Sequence, residues 1–141
     1  MICVVDASVV LKWFLREPDS AAADALLENL NDEVELLAPD LILVETESAL
    51  WKRVMVRREI SADEATPIYR DFLTLPLTLI ASEAVADAAL QIALQHKHSV
   101  YDAFDRALAS ERNCDFVTAD RTLVNKLSEV LPIRHLSTIK P

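Results

Sequence analysis

The chain opens on Ile2-Cys3-Val4-Val5, closed by Asp6 and followed by Ala7-Ser8. Three of those four apolar residues are β-branched, and no polar residue alternates with them. An unbroken apolar run of this length reads as a strand covered on both faces, which is the habit of parallel strands in α/β proteins. Ligands in such sheets gather beyond the carboxyl ends of the strands. Asp6 stands at that position. A carboxylate there has two readings of equal weight, a helix N-cap with Ser8 nearby or a functional acid.

The rest of the chain alternates between strand and helix patterns, as a layered βαβ fold requires. A first helix is expected from residue 9 to about 15. Pro18 is expected in the first turn of a second helix that carries Ala22, Ala25, Leu26 and Leu30 inward. Residues 34–38 read as a strand stopped by Pro39, and residues 41 to about 57 as a long helix. Ser61 and Glu64 form a capping box for a helix ending near Leu73. Residues 77–80 read as a strand. Ser82 is expected to cap a helix running to about His96, with Val85, Ala89, Ile92 and Ala93 inward, and Ser99 to cap another through Ala109. Residues 115–118 read as a strand, 121–127 as a short helix and 133–136 as a fifth strand. Neither repeat nor linker interrupts this order, so 141 residues form one domain spanning 1–141.

Several function classes fall away on composition. Glycine is absent, which removes the P-loop and the dinucleotide fingerprint, because both bring backbone close to phosphate through glycine. No apolar run reaches the roughly 18 residues of a membrane span, and the N-terminus lacks the basic region of a secretory signal. A cytoplasmic location without membrane attachment is the expectation. Cys3 and Cys114 suit a reducing compartment as small core residues. The formal net charge of −9 argues against a nucleic-acid binder taken alone. Bound divalent cations or a local basic patch would reverse that argument, and a basic protein partner would suit the charge directly.

Four acids compete with structural explanations. Glu45 lies one turn into the long helix, where a carboxylate complements the dipole. Its apolar neighbours Leu43, Val44 and Ala49 favour a half-buried position, whereas Glu47 points about 200° away, toward solvent. Asp102 belongs to Ser99-Val100-Tyr101-Asp102, itself a capping-box pattern, and Arg106 at i+4 offers it an ion pair. Asp120 precedes a helix and suits an N-cap, and Thr118 has the same ambiguity. Jointly the four are harder to dismiss. Asp6 and Asp120 follow strands, Glu45 and Asp102 open helices, and a parallel sheet gathers all of them at one edge. Carboxylates so gathered repel one another until a divalent cation intervenes. Oxygen donors without nearby Cys or His select Mg²⁺ or Mn²⁺.

With these acids in place the chain resembles the PIN-domain ribonucleases, and more closely the VapC toxins of prokaryotic toxin–antitoxin pairs. The resemblance rests on Val4-Val5-Asp6-Ala7-Ser8 with Leu11-Lys12-Trp13-Phe14, and on Pro39 and Glu45 with Ser48-Ala49-Leu50. It continues through Ser99-Val100-Tyr101-Asp102-Ala103 with Ala107-Leu108-Ala109, and Thr118-Ala119-Asp120-Arg121. It implies a three-layer α/β/α fold with a parallel sheet ordered 3-2-1-4-5. It also implies a Mg²⁺- or Mn²⁺-dependent endoribonuclease acting on tRNA or rRNA. The metal-binding and catalytic acids map onto Asp6, Glu45, Asp102 and Asp120, with Ser8 and Thr118 as supporting hydroxyls. Family members usually form homodimers and pair with an antitoxin that wraps an apolar groove, for which Trp13, Phe14 and Trp51 are candidates as much as core residues. Asp105 departs from the family, whose members often carry an aromatic or aliphatic residue there. It is read as a solvated neighbour ahead of a further metal-shell acid.

In that mechanism metal ions activate a water and offset the charge on the phosphorane, so no protein nucleophile is required. Asp102 or Glu45 is the acid to take the proton. Lys52, Arg53, Arg57 and Arg58 at the end of the long helix are candidates for RNA phosphate contacts, with dipole compensation as the equal alternative. His96 and His98 are read as helix-end residues. The competing functions are a housekeeping PIN-type RNA-processing nuclease and, further off, a Mg²⁺-dependent phosphatase. The phosphatase wants a second acid where Ser8 stands. A phospho-acceptor receiver domain lacks its aspartate at the end of the third strand.

Overall fold

The computed structural model describes residues 1–29, 34–129 and 131–139. Five parallel strands form one sheet: β1 (Ile2–Val5), β2 (Glu35–Pro39), β3 (Leu77–Ile80), β4 (Asp115–Thr118) and β5 (Ile133–His135). Their order is β3-β2-β1-β4-β5. The register pairs Val4 with Leu37 on one side and with Phe116 on the other. The helices are α1 (Ala7–Phe14), α2 (Ser20–Glu28), α3 (Ile42–Met55), α4 (Ala62–Phe72), α5 (Ala86–His96), α6 (Val100–Glu111) and α7 (Arg121–Leu127).

The strand pleat divides the core. Val4, Leu37 and Phe116 face one side, where they pack with Ala89 and Ala93 of α5, Ala103 and Ala107 of α6, and Leu123 and Leu127 of α7. Cys3, Val5, Leu36 and Val117 face the other, with Val9 of α1 and Ala23 and Leu26 of α2. A third cluster joins Val10, Ala38, Ile42 and Phe72, tying α3 and α4 to that second side. The fold is therefore the three-layer α/β/α arrangement in the expected strand order. Because β1 leads to β2 on one side and pairs with β4 on the other, the topological switch lies between β1 and β4.

Three local expectations yield to tertiary partners. Pro18 precedes α2 rather than entering its first turn. Its carbonyl accepts from Lys12 Nζ at 2.8 Å, Ser20 Oγ closes the loop onto the Leu15 carbonyl at 3.1 Å, and Asp19 is left-handed at φ 69°. Ser82 does not cap α5. Its amide and hydroxyl both donate to Asp40, and residues Ser82–Val85 tighten into a 3-10 turn ahead of the helix. Ser99 holds the cap position of α6, but its side chain makes no capping bond. The Ser61–Glu64 capping box forms as expected. The fifth strand ends one residue early, at His135. Leu30 lies outside the described residues.

Candidate active site at the β1–β4 crevice

Asp6 leaves β1 as the N-cap of α1 and does more than cap it. Its Oδ1 accepts from the Ser8 and Val9 amides at 3.0 and 3.2 Å and from Ser8 Oγ at 2.5 Å. Its Oδ2 accepts from Thr118 Oγ1 at 2.5 Å. Both hydroxyls then take a backbone amide in turn, Ser8 from Ala119 at 2.9 Å and Thr118 from Asp120 at 3.1 Å. Each hydroxyl hydrogen is committed to Asp6, so the 3.3 Å Ser8–Thr118 approach is contact between two acceptors. The network laces β1 to β4 across the switch point and holds the Asp6 carboxylate still. Burial nevertheless raises the Asp6 pKa, with the hydroxyl and amide bonds pulling the other way.

Ser8→Ala removes two of these bonds and strands the Ala119 amide. A loss of about 1–3 kcal/mol in stability is expected, read as a lowered urea midpoint with an unchanged denaturant slope.

Glu45 enters from the first turn of α3, half-buried. Its carboxyl is pushed up to about 7 by burial, then by the charges of Asp6 and Asp102. It opens onto a cavity of about 590 Å³ that it lines with Lys52, Ser48 and Tyr101 among others. Asp102 stands at the head of α6. Burial and the charge of Asp120 raise its pKa, while His98, Arg106 and Lys126 oppose that rise. The expected i+4 ion pair with Arg106 is not made. The guanidinium is 2% exposed, and none of its three nitrogens finds a hydrogen-bond partner among the described residues.

Asp105 overturns its expectation. It is 5% exposed rather than solvated, and its pKa is driven well up by burial and by Asp6, Glu45 and Asp102. Among the described residues no hydrogen bond offsets that cost. Asp105 therefore belongs to the acidic cluster. Its burial follows from α6 lying against α5 and strands β1, β2 and β4, which buries residues 105 to 109 in succession. Asp120 is exposed and turned to its own helix, Oδ1 accepting from the Leu123 amide at 3.0 Å. Its tie to the cluster is the charge it presents to Asp102.

The charges of Asp6 and Asp102 thus raise the cost of ionising Glu45, those of Asp6, Glu45 and Asp102 raise that of Asp105, and the donor set is entirely hard oxygen. Such a set has the chemistry that a divalent cation would match. Among the described residues no three His, Cys, Asp or Glu side chains stand ready-grouped around one point. Asp6 is engaged by two hydroxyls and two amides, and Asp120 by the amide of Leu123 in its cap.

The basic residues of α3 have separate situations. Arg53 pairs with Glu17 and Glu59, and Arg57 approaches Glu59 at 3.9 Å. Arg58 is exposed in a left-handed turn at φ 54°. Lys52 alone of the four lines the cavity of Glu45. Trp13 donates Nε1 to the Ala23 carbonyl at 2.6 Å and packs with Phe14 in the core. Trp51 is exposed and lines an open apolar groove of about 710 Å³ between α3 and α4, with Val44, Val54, Met55 and Tyr69. Lys126 of α7 lowers the Asp102 pKa from twenty-four residues away in sequence, an influence that local sequence pattern does not show.

A family model described as the PIN domain matches residues 3–127. The chain belongs to the PIN-domain family. Among curated relatives, ribonuclease VapC3 of Pyrobaculum aerophilum is 31% identical over 129 residues, covering 89% of this chain and 95% of the relative. The solved structure of PAE2754 from the same organism superposes with a TM-score of 0.71 at 20% identity, covering 98% of this chain and 91% of that one. VapBC2 of Rickettsia felis, bound to a DNA fragment of its promoter, gives a TM-score of 0.65 at 17% identity, covering 96% and 98%. The PIN domain accounts for the strand order and for the crevice in which the acids meet. Among the described residues no helix is long and apolar enough to cross a membrane.

Proposed function

We propose that this PIN domain is a divalent-metal-dependent endoribonuclease, the toxin member of a toxin–antitoxin pair. The observation that carries the reading is the cluster of Asp6, Glu45, Asp102 and Asp105 at the β1–β4 switch point, where the charges of Asp6, Glu45 and Asp102 all bear on Asp105, which makes no hydrogen bond among the described residues. These acids, with Asp120 at the rim, would hold Mg²⁺ or Mn²⁺. The bound ion would acidify a water and offset charge on the phosphate oxygens. Ser8 and Thr118 keep Asp6 oriented. Glu45, its pKa raised by burial and by the charges of Asp6 and Asp102 in the metal-free protein, would be driven to its charged form by a bound cation and could then accept a proton from water. Lys52, beside Glu45 in the open cavity, is the α3 cation best situated for RNA phosphate, while Arg53 is held by two glutamates.

The relative named ribonuclease VapC3 supports the substrate class, and the VapBC2 complex supports a protein partner. An antitoxin segment would lay an apolar face against Val44, Trp51, Met55 and Tyr69 in the α3–α4 groove. Exposed Leu90 and Leu94 of α5, with Val100 and Tyr101 of α6, offer apolar surface to a second copy.

The deciding experiment incubates the purified protein with labelled tRNA and rRNA in Mg²⁺ or Mn²⁺, then with EDTA. Cleavage in metal and none in EDTA is expected. Cleavage that persists in EDTA ends the metal–carboxylate reading, and metal-dependent release of phosphate from a monoester without RNA cleavage favours the phosphatase.

A further inference from the structure

The cavity beside Glu45 holds groups that the acidic cluster does not use. Its volume, about 590 Å³, falls in the range of pockets that enclose a small organic ligand. Glu45, Ser48 and Lys52 line it from α3, with Leu41 and Val44 as apolar surface beside them. Their spacings of three and four residues put the three polar side chains on one stripe of the helix. Lys52 stands seven residues beyond Glu45, which is two turns and about 10 Å along the axis. Tyr101 lines the same cavity from the first turn of α6, one residue before Asp102.

The two ends of the stripe differ in charge. The Glu45 end is continuous with the acids, where a cation would hold the scissile phosphate. At the other end Lys52 is exposed, and among the described residues no carboxylate forms an ion pair with it. Its flexible four-carbon stem carries the ammonium across part of the distance back toward Glu45. An anion beside Lys52 and a phosphate beside the acids are therefore separated by the width of the cavity. In a nucleic-acid strand one nucleoside fills the space between successive phosphates. The side chain facing that space is an aromatic ring, 66% exposed. Among the described residues Tyr101 stacks on no other ring and its hydroxyl makes no hydrogen bond. A free ring on apolar surface is the platform on which a base stacks, whatever its identity.

We propose that this cavity seats the nucleoside between the scissile phosphate and its neighbour, with the base stacked on Tyr101 and the neighbouring phosphate on Lys52. The proposal rests on the nuclease reading and adds to it a substrate class. A paired base is stacked within its own helix, so the seat takes only an unpaired nucleotide, as aromatic platforms for RNA do. Cutting should follow loops and single strands, with little preference for the base beside the cut.

Tyr101→Ala, Tyr101→Phe and Lys52→Ala test the seat in steady-state cleavage with Mn²⁺ of whichever labelled tRNA or rRNA the unsubstituted protein cuts. Leu73→Ala, which removes an exposed apolar side chain at the end of α4, is the control and should stay within twofold. Tyr101→Ala is expected to lower kcat/KM by about ten- to a hundredfold, and Tyr101→Phe, which keeps the ring, by no more than about twofold. Lys52→Ala should raise KM severalfold and flatten the slope of log kcat/KM against log salt by about 0.7, the share of one phosphate contact on a single strand. The mapped cuts should lie beside unpaired nucleotides. Calorimetric Mn²⁺ affinity should be unchanged in Tyr101→Ala. If Tyr101→Ala cleaves like Leu73→Ala, if Tyr101→Phe loses as much as Tyr101→Ala, or if cuts fall within stems, the seat is wrong and the nuclease reading stands. Weakened Mn²⁺ binding in Tyr101→Ala would make the ring a support for Asp102 and overturns the proposal. Tyr101 also borders the apolar surface offered to a second copy, so light scattering accompanies the kinetics. A loss of cleavage that tracks conversion of a dimer to monomer assigns Tyr101 to that interface and equally overturns the seat. If the unsubstituted protein cleaves no RNA, both readings fall together.

Discussion

Asp6→Asn is expected to lower RNA cleavage by more than about a hundredfold while leaving the fold intact. The side chain combines two roles that the substitution separates. As a cap, Asn serves nearly as well as Asp, and its amide oxygen can keep the Ser8 and Val9 amides that Asp6 Oδ1 holds at 3.0 and 3.2 Å. The amide nitrogen then faces Thr118, whose hydroxyl can turn to accept. As a ligand, Asn lacks the charge that makes the crevice a divalent site, and loss even of groups that only orient ligands costs about 10- to 100-fold in metal affinity or activity. One unusual sign accompanies the loss. Because Asp6 is buried and its charge bears on Glu45 and Asp105, Asp6→Asn should melt higher than the unsubstituted protein when both are metal-free. Asp102→Asn should behave in the same way, and Asp105→Asn should weaken Mn²⁺ binding by about tenfold. Calorimetric titration with Mn²⁺, melting by circular dichroism in EDTA and cleavage of labelled RNA give the three readings. Full cleavage by Asp6→Asn, or a metal-free melting point below that of the unsubstituted protein, would remove Asp6 from the centre of the site.

Much of this arrangement was legible from local pattern. Apolar runs closed by Asp6 and Thr118 mark strand ends, and strand ends of a parallel sheet meet at one edge. The local pattern failed where a helix is enclosed. Helix α6 carries Asp105 and Arg106 among its buried residues, because α5 and the sheet cover flanks that a surface helix would expose, so of the two readings of Asp105 the solvated one fails. The Ser82 cap failed for a related reason. A serine before a helix has several partners available, and Asp40, forty-two residues away in sequence, took both its amide and its hydroxyl. Capping explanations offered for the acids also separated in the fold. Asp120 does cap its helix and Asp6 caps while doing more, but the Ser99–Asp102 capping box does not form, which leaves Asp102 to the crevice.

The metal-free protein is expected to grow more stable as pH falls from about 8 to about 5.5, the reverse of ordinary acid denaturation. Glu45 has a folded pKa of about 7 against 4.5 in the unfolded chain. The folded state therefore binds more protons than the unfolded one between those values, and the pH derivative of unfolding free energy is negative there. The stabilisation is complete below the unfolded value and is lost as pH rises through 7. Glu45 is only half-buried, so solvent screening keeps its share to about 1–2 kcal/mol, or roughly 3–6 °C in melting temperature for a chain of this length. Asp6, Asp102 and Asp105 are shifted in the same direction, though four coupled acids do not contribute as four independent ones. Below about pH 4.5 the ordinary ion pairs, such as Arg53 with Glu17 and Glu59, lose their carboxylates and stability falls again. A divalent cation should reverse the slope. It binds only the deprotonated acids, so at pH 8 a concentration a hundredfold above Kd adds about 2.7 kcal/mol, whereas at pH 5.5 protons compete and little is added. Glu45→Gln should flatten the metal-free profile, because Gln carries no proton to exchange. Melting curves from pH 5 to 8.5, with EDTA and with Mn²⁺, read both slopes. A metal-free protein that is steadily more stable toward pH 8, or a Mn²⁺ shift independent of pH, would mean that the carboxylates do not share one crevice as charged groups and that the ion binds elsewhere.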